Sequence, residues 1–150
     1  MTRPLKAALL VAVIVLAPVG TARADCLDEA AQYHRVNPWI LRAIAYQESR
    51  FNPQAIGHNT NGTSDLGAFG ANTVHLPELA KYGIAKEDLF DVCKGAYVAA
   101  WHLSKMVRKY GNTWDAVGAY NSQTRDKMTI YEEKIRRIID FWMSRGIIPR

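Results

Sequence analysis

The sequence predicts one mainly α-helical domain interrupted by a short β-hairpin or loop. Apolar residues recur at helical spacing through most of the chain beyond residue 25. That rhythm fails over His58-Asn59-Thr60-Asn61-Gly62-Thr63-Ser64-Asp65-Leu66-Gly67, a run dense in turn formers. Residues 25–150 have the length of one domain with a single buried core, and they carry no internal repeat or low-complexity linker.

The elements follow in order. Cys26 to His34 reads as a short amphipathic helix, and Pro38 to Ser49 as a second, with proline in its favoured first turn. Asn52-Pro53 stops that second helix. Asn52 to Asn72 is loop or hairpin, in which Asn61-Gly62 signals a tight turn between two very short strands. Glu87 to Tyr110 forms a long central helix, where Ala96, Ala99 and Ala100 permit close packing and Gly111 ends the run. Thr113 caps Trp114 to Tyr120. Thr129-Ile130-Tyr131-Glu132 has the form of a capping box, so the last helix is expected to open there and run to about Arg145. Trp39, Trp101, Trp114 and Trp142 all fall at helical positions, where a core role is expected.

The first residues form an address. Met1 to Lys6 is basic, Ala7 to Ala17 is almost wholly apolar, and Ala22-Arg23-Ala24 supplies small residues at the −3 and −1 positions. This is the pattern of a cleavable secretory signal over residues 1–24, and it directs the domain to the periplasm. The apolar run is well short of the ~20 residues that a bilayer requires. Asp25 separates Ala24 from Cys26, so a lipid-modified N-terminal cysteine is not expected. Without Arg3, Lys6 and Arg23, 16 basic residues face 14 acidic ones, a net charge of +2. That is too small a charge to argue for nucleic acid, although it suits an acidic cell-wall polymer. Cys26 and Cys93 form an even pair in an oxidising compartment, which favours one disulfide. No H-E-x-x-H or similar spacing appears among the four histidines, so no metal or cofactor is expected. His58 and His75 are possible cleft borders, with surface or packing roles the simpler reading.

One residue breaks the apolar logic. Leu41, Ile44, Ala45 and Glu48 follow the i, i+3, i+4, i+7 rule, so Glu48 projects where the next core side chain belongs. A carboxyl held against apolar walls has its charged form disfavoured and its pKa raised. Such a group can act as a general acid near neutral pH, as the glutamic acid of lysozyme does. The alternative is a surface glutamate paired with Arg42 or Arg50.

Three blocks stand in sequence: Glu48-Ser49 at a helix end, Gly67-Ala68-Phe69-Gly70-Ala71-Asn72 after the polar loop, and Ala119-Tyr120-Asn121 ending a helix. In this order and spacing they resemble the E-S, G-x-M-Q-x-N and A-Y-N blocks of the soluble lytic transglycosylase family. The resemblance covers Leu27 to about Arg137. It implies a goose-lysozyme-like fold and cleavage of the MurNAc–GlcNAc bond of peptidoglycan without a cofactor. Size, signal peptide, cysteine pair and polar loop look most like the small members that accompany type III and type IV secretion systems, conjugation systems and pili. A component of such a system is the implied partner, and a monomer is expected.

Carried over by position, the resemblance makes Glu48 the catalytic acid/base. Ser49 would bond around the sugar N-acetyl group and steady the nearby backbone, while Tyr120 and Asn121 would line the cleft. Phe69 would offer apolar contact to a sugar face, and Asn72 matches the terminal asparagine of its block. Gly70 departs from the pattern, because it lacks the amide that the usual glutamine would present. Asp65 is either a second carboxylate, in the manner of hen-type lysozyme, or an Asx cap of its own turn. Tyr131 either lines the cleft or packs its helix. Two other functions stay open: a lysozyme-like hydrolase assisted by Asp65, and a glycan-binding scaffold of a secretion system with little turnover.

Overall fold

The computed structural model describes residues 25–148; the expected signal sequence over residues 1–24 lies outside them. The chain runs α1 (Cys26–His34), α2 (Pro38–Ser49), β1 (Ile56–His58), β2 (Ser64–Leu66), β3 (Ala71–Asn72), α3 (Leu76–Leu79), α4 (Val92–Tyr110), α5 (Trp114–Asn121) and α6 (Arg125–Ser144). Single 3₁₀ turns at Thr73–His75, Ala80–Tyr82 and Glu87–Phe90 flank α3 and precede α4. No helix among the described residues is long and apolar enough to cross a membrane.

The core forms where α2 meets α4 and α6. Leu41, Ala43, Ile44 and Ala45 of α2 are wholly buried, as are Ala96 and Ala100 of α4 and Ile135 of α6. Small side chains on both α2 and α4 let the backbones approach, and the larger Leu41, Ile44, Leu103 and Ile135 fill the remaining space. Asn37 caps α2 by accepting from the Trp39 and Ile40 amides at 2.8 and 3.3 Å. The four tryptophans pack on the edges of the core, each only half-buried, because the indole is too large to be enclosed in so small a domain.

Two boundaries differ from the sequence reading. The central helix begins at Val92 rather than Glu87, because Asp91 is extended and accepts from the Lys94 amide at 2.8 Å. That local cap outcompetes the preceding acidic turn, which stays 3₁₀. The last helix begins at Arg125, four residues before the expected capping box. Met128 lies on the same buried stripe as Tyr131, Ile135 and Ile139, so packing extends the helix through Thr129. The Thr129 hydroxyl donates to the Arg125 carbonyl within the helix, and Glu132 faces Arg136 instead of an amide.

The polar segment forms a three-stranded antiparallel sheet in the order β1-β2-β3. Asp65 sits on the middle strand, opposite Gly57 on one side and Asn72 on the other. The third strand comes from the Gly67–Asn72 block and adds to the two strands expected around Asn61-Gly62. Gly67 makes that block's approach possible: its φ is +72°, and a Cβ there would lie 1.9 Å from the Leu89 carbonyl oxygen.

Cys26 and Cys93 are joined, with Cα atoms 5.4 Å apart, and tie the start of α1 to the first turn of α4. Arg42 completes this end of the molecule, reaching Asp25 at 2.8 Å and Asp28 at 2.7 Å. The bridge closes a loop of 67 residues, which in the chain-entropy account stabilises by ~4 kcal/mol. Replacing both cysteines by serine should therefore lower the melting temperature by about 10 °C or more. A thermal melt of the oxidised and double-variant proteins checks this, and a shift of only a degree or two would contradict it.

Candidate active site

Glu48 occupies the last turn of α2, one turn beyond the buried Ile44 and Ala45. Its Oε1 accepts a hydrogen bond from the Tyr131 hydroxyl, delivered from the buried face of α6. The ion pairs that would make it a surface glutamate do not form. Arg42 is taken by Asp25 and Asp28, and Arg50 lies over the Tyr46 ring at 4.1 Å while donating to the Tyr46 carbonyl. Burial is the main cause that raises the Glu48 pKa to about 6. The charge of Asp65 pushes in the same direction, while the Tyr131 hydrogen bond and Lys134 pull it down.

Gly70 forms the floor of this seat. Its φ is +59°, and a Cβ built on it would stand 2.7 Å from Oε2 of Glu48 and 3.2 Å from both Cδ and Cγ. The departure from the family's glutamine thus removes a side-chain amide and, in the same stroke, makes room for the carboxyl to rest on Tyr131. Two hydrogen bonds fix the backbone just before it. The Ser49 hydroxyl donates to the Ala68 carbonyl at 2.8 Å, and the Tyr120 hydroxyl donates to the Phe69 carbonyl at 3.0 Å. One end of α2 and one end of α5 therefore hold the same turn. His102 of α4 supports Tyr120 in its turn, donating from Nε2 to the Tyr120 carbonyl at 2.9 Å.

Phe69 does not face a sugar. The ring is 1 % exposed and fills the core beside Gly95, because the block's turn directs it inward while its carbonyl meets Tyr120. Tyr120 is itself buried and stacked against Tyr131, with ring planes 20° apart. Of the two readings of Asp65, the Asx cap of its own turn does not form. Asp65 lies mid-strand, and its carboxylate accepts from the side-chain amides of Asn59 at 3.0 Å and Asn72 at 2.7 Å. Asn72 also donates to Thr63 and accepts from the Val74 amide, so its polar atoms are engaged within the sheet. Of the two histidines weighed as cleft borders, His58 is exposed on β1 and bonds Ser64, and His75 packs edge-on against Trp101.

The open space beside Glu48 is a polar cavity of about 340 Å³, lined by Gln47, Glu48, Asn121, Lys127, Ile130, Tyr131 and Lys134. A somewhat larger apolar cavity of about 390 Å³ lies between Tyr33, Leu79, Tyr97 and Trp101. It is lined by no carboxyl group and by no residue of the three blocks, whereas the cavity beside Glu48 has both. Tyr131 is the site residue whose part the sequence left undecided. A tyrosine within the buried stripe Met128, Tyr131, Ile135, Ile139 must find a partner for its hydroxyl, and a buried carboxyl is a natural one.

A helical domain with a small sheet, and a glutamic acid of raised pKa where a helix end meets that sheet, defines the lysozyme-like class. Residues 25–138 match the family described as the transglycosylase SLT domain, and the chain belongs to that family. Among curated relatives, invasion protein IagB of Salmonella typhimurium is 44 % identical over 116 residues, covering 77 % of this chain and 72 % of that protein. An Escherichia coli protein named X polypeptide is 41 % identical over 133 residues, 83 % of this chain and 78 % of its own. Protein IpgF of Shigella flexneri is 39 % identical over 106 residues, 70 % of each chain.

The seat makes two predictions. Gly70→Ala should displace the Glu48 carboxyl from Tyr131 and add backbone strain of about 1 kcal/mol. Any glycan-cleaving activity should fall at least tenfold while the melting temperature drops by only a few degrees, measured side by side. The second concerns pH. The folded pKa of Glu48, about 6, exceeds its ordinary value of 4.5, so folding favours the protonated form. That stabilisation is complete below pH 4.5 and disappears as pH rises through 6. Glu48→Gln should consequently gain stability relative to the natural chain across that window, by up to about 2 kcal/mol. Denaturant melts at pH 4 and pH 7 measure it; a difference that does not grow with pH would place the ionised carboxylate at ease in its seat.

Proposed function

We propose that this protein is an exported peptidoglycan lytic transglycosylase and that Glu48 is its acid/base. The supporting observation is the carboxyl lining the cleft, half-buried, with no ion pair among the described residues and with a pKa of about 6. A group of that pKa is protonated often enough to give a proton and weak enough an acid to take one back. Protonated Glu48 donates to the glycosidic oxygen, and the bond from that oxygen to the MurNAc anomeric carbon breaks. The N-acetyl oxygen of the same sugar traps the positive centre, so no carboxylate nucleophile is required. The Glu48 carboxylate then removes the proton of the C6 hydroxyl, whose oxygen closes onto the anomeric carbon as the bond from that carbon to the N-acetyl oxygen breaks, giving the 1,6-anhydro product with its acetamido group restored. Glu48 is left protonated for the next cycle.

The other site residues act around this step. Tyr131 aims the carboxyl and Asn121 borders the substrate. Ser49 and Tyr120 hold the turn that leaves room for it. Asp65 sits on the middle strand with its charge acting on Glu48, and its part is to stabilise positive charge at the anomeric carbon. The invasion-protein names of the relatives in Salmonella support a role in opening the wall for a secretion, conjugation or pilus assembly, and the signal pattern supports a periplasmic location.

Purified sacculi provide the test. The natural chain should release 1,6-anhydro ends, which mass analysis separates from reducing ends by one water. Glu48→Gln should release neither, with its fold intact by circular dichroism; near-normal release would remove Glu48 from the mechanism. Lysozyme-like hydrolysis is favoured by one observation, the Asp65 carboxylate fixed by two side-chain amides. Asp65→Asn is expected to lose a factor of ten or more in rate, where each ~1.4 kcal/mol of barrier is tenfold, while its residual products stay anhydro. Reducing ends from the natural chain would instead assign Asp65 to activation of a water.

A further inference from the structure

The cleft contains two cations that the proton chemistry does not use. Lys127 and Lys134 are seven residues apart on α6 with Ile130 and Tyr131 between them, so all four share one helical face and line the cavity with Glu48. Both lysines are exposed, and Ile130 between them is 56 % exposed. Neighbouring charges pair off elsewhere: Arg125 with Asp115 at 2.9 Å, Arg136 with Glu132 at 3.8 Å and Arg137 with Glu133 at 3.6 Å. Neither Lys127 nor Lys134 has an ion-pair or hydrogen-bond partner among the described residues.

Their position works against the acid. A cation near a carboxyl favours the ionised form, and Lys134 does act on Glu48 in that direction. Two unpaired ammonium groups beside a group that must hold a proton are unfavourable unless the ligand brings negative charge. In an alternating MurNAc–GlcNAc strand only the muramoyl sugar does so. Its C3 lactyl ether ends in a carboxylate, free in a stripped strand and extended by a carboxylate-bearing peptide in an intact one.

We propose that Lys127 and Lys134 bind the carboxylate borne on the C3 side chain of the muramoyl sugar, with Ile130 against the apolar atoms between them. The cleft thereby selects acidic glycan over uncharged chitin-like strands. The inference rests on the reading of this cleft as a peptidoglycan site and names the part of the substrate that α6 reads.

The test measures equilibrium binding, so that turnover does not decide it. Glu48→Gln protein is titrated with three soluble glycans of equal sugar number: peptide-bearing strands, strands stripped by an amidase, and chitooligosaccharide. Carboxylate-bearing strands should bind about tenfold more tightly than the neutral one, with the margin shrinking at high salt. Adding Lys127→Gln and Lys134→Gln should erase that margin at an unchanged melting temperature. Equal binding of the two acidic strands assigns the contact to the lactyl carboxylate, whereas preference for the peptide-bearing strand assigns it to the stem peptide. A margin that survives loss of both lysines, or no margin in Glu48→Gln, overturns the proposal. Turnover of sacculi by the natural chain without any carboxylate preference rejects the lysines and keeps the transglycosylase; preference without turnover does the reverse.

Discussion

Glu48 occupies a place that the core would give to an apolar side chain, and among the described residues no cation forms an ion pair with it. An uncompensated carboxylate there is expensive, so the group is held partly protonated and receives one hydroxyl donor in place of an ion pair. Much of the surrounding structure is the means of keeping that arrangement. Tyr131 must reach it from a helix that starts more than 70 residues later, Gly70 must lack a side chain, and the turn before Gly70 must not drift. Ser49 and Tyr120 hold that turn by consecutive carbonyls, one from each side.

The way α2 ends belongs to the same problem. Arg50 and Phe51 both adopt left-handed backbone, φ +56° and +63°, immediately after the glutamate. For non-glycine residues each costs roughly 1 kcal/mol. Arg50 is secured on Tyr46, and the Arg50 and Phe51 amides donate to the Tyr46 and Ala45 carbonyls. The chain thus leaves the helix abruptly enough to start the sheet, and the turn before its third strand returns Gly70 to the Glu48 carboxyl. Strain gathered beside a reactive group, and offset by a well-packed core, is a common division of labour.

Stability is concentrated at the other end. The Cys26–Cys93 bridge and the double grip of Arg42 on Asp25 and Asp28 join α1 to α4 and α2. None of these groups belongs to the cleft. Much of the wall of the polar cavity is made from α6, whose inner stripe is core and whose exposed edge carries Lys127, Ile130 and Lys134. One helix therefore supplies packing, the aim of Glu48 and the charge that the cleft presents.

Short-range chemistry in the sequence determined the helix ends at Pro38, Gly111 and Thr113, the helical stripe that ends on Glu48, the polar interruption and the cysteine pairing. Each depends on residues a few positions apart or on compartment, and so is legible without the fold. The block order identified the family for the same reason, since it preserves local sequence. What only the tertiary structure decided is long-range. Packing of Met128 drew α6 back past a plausible capping box, and the turn at Gly67 swung Phe69 into the core instead of the cleft. Asp65 found amide donors from Asn59 and Asn72 across strands, where a local cap was equally compatible with its neighbours. Gly70 reads in the sequence as a lost amide; next to Glu48 it is a space, and whether a missing side chain is a loss or a seat depends on what the rest of the chain places against it.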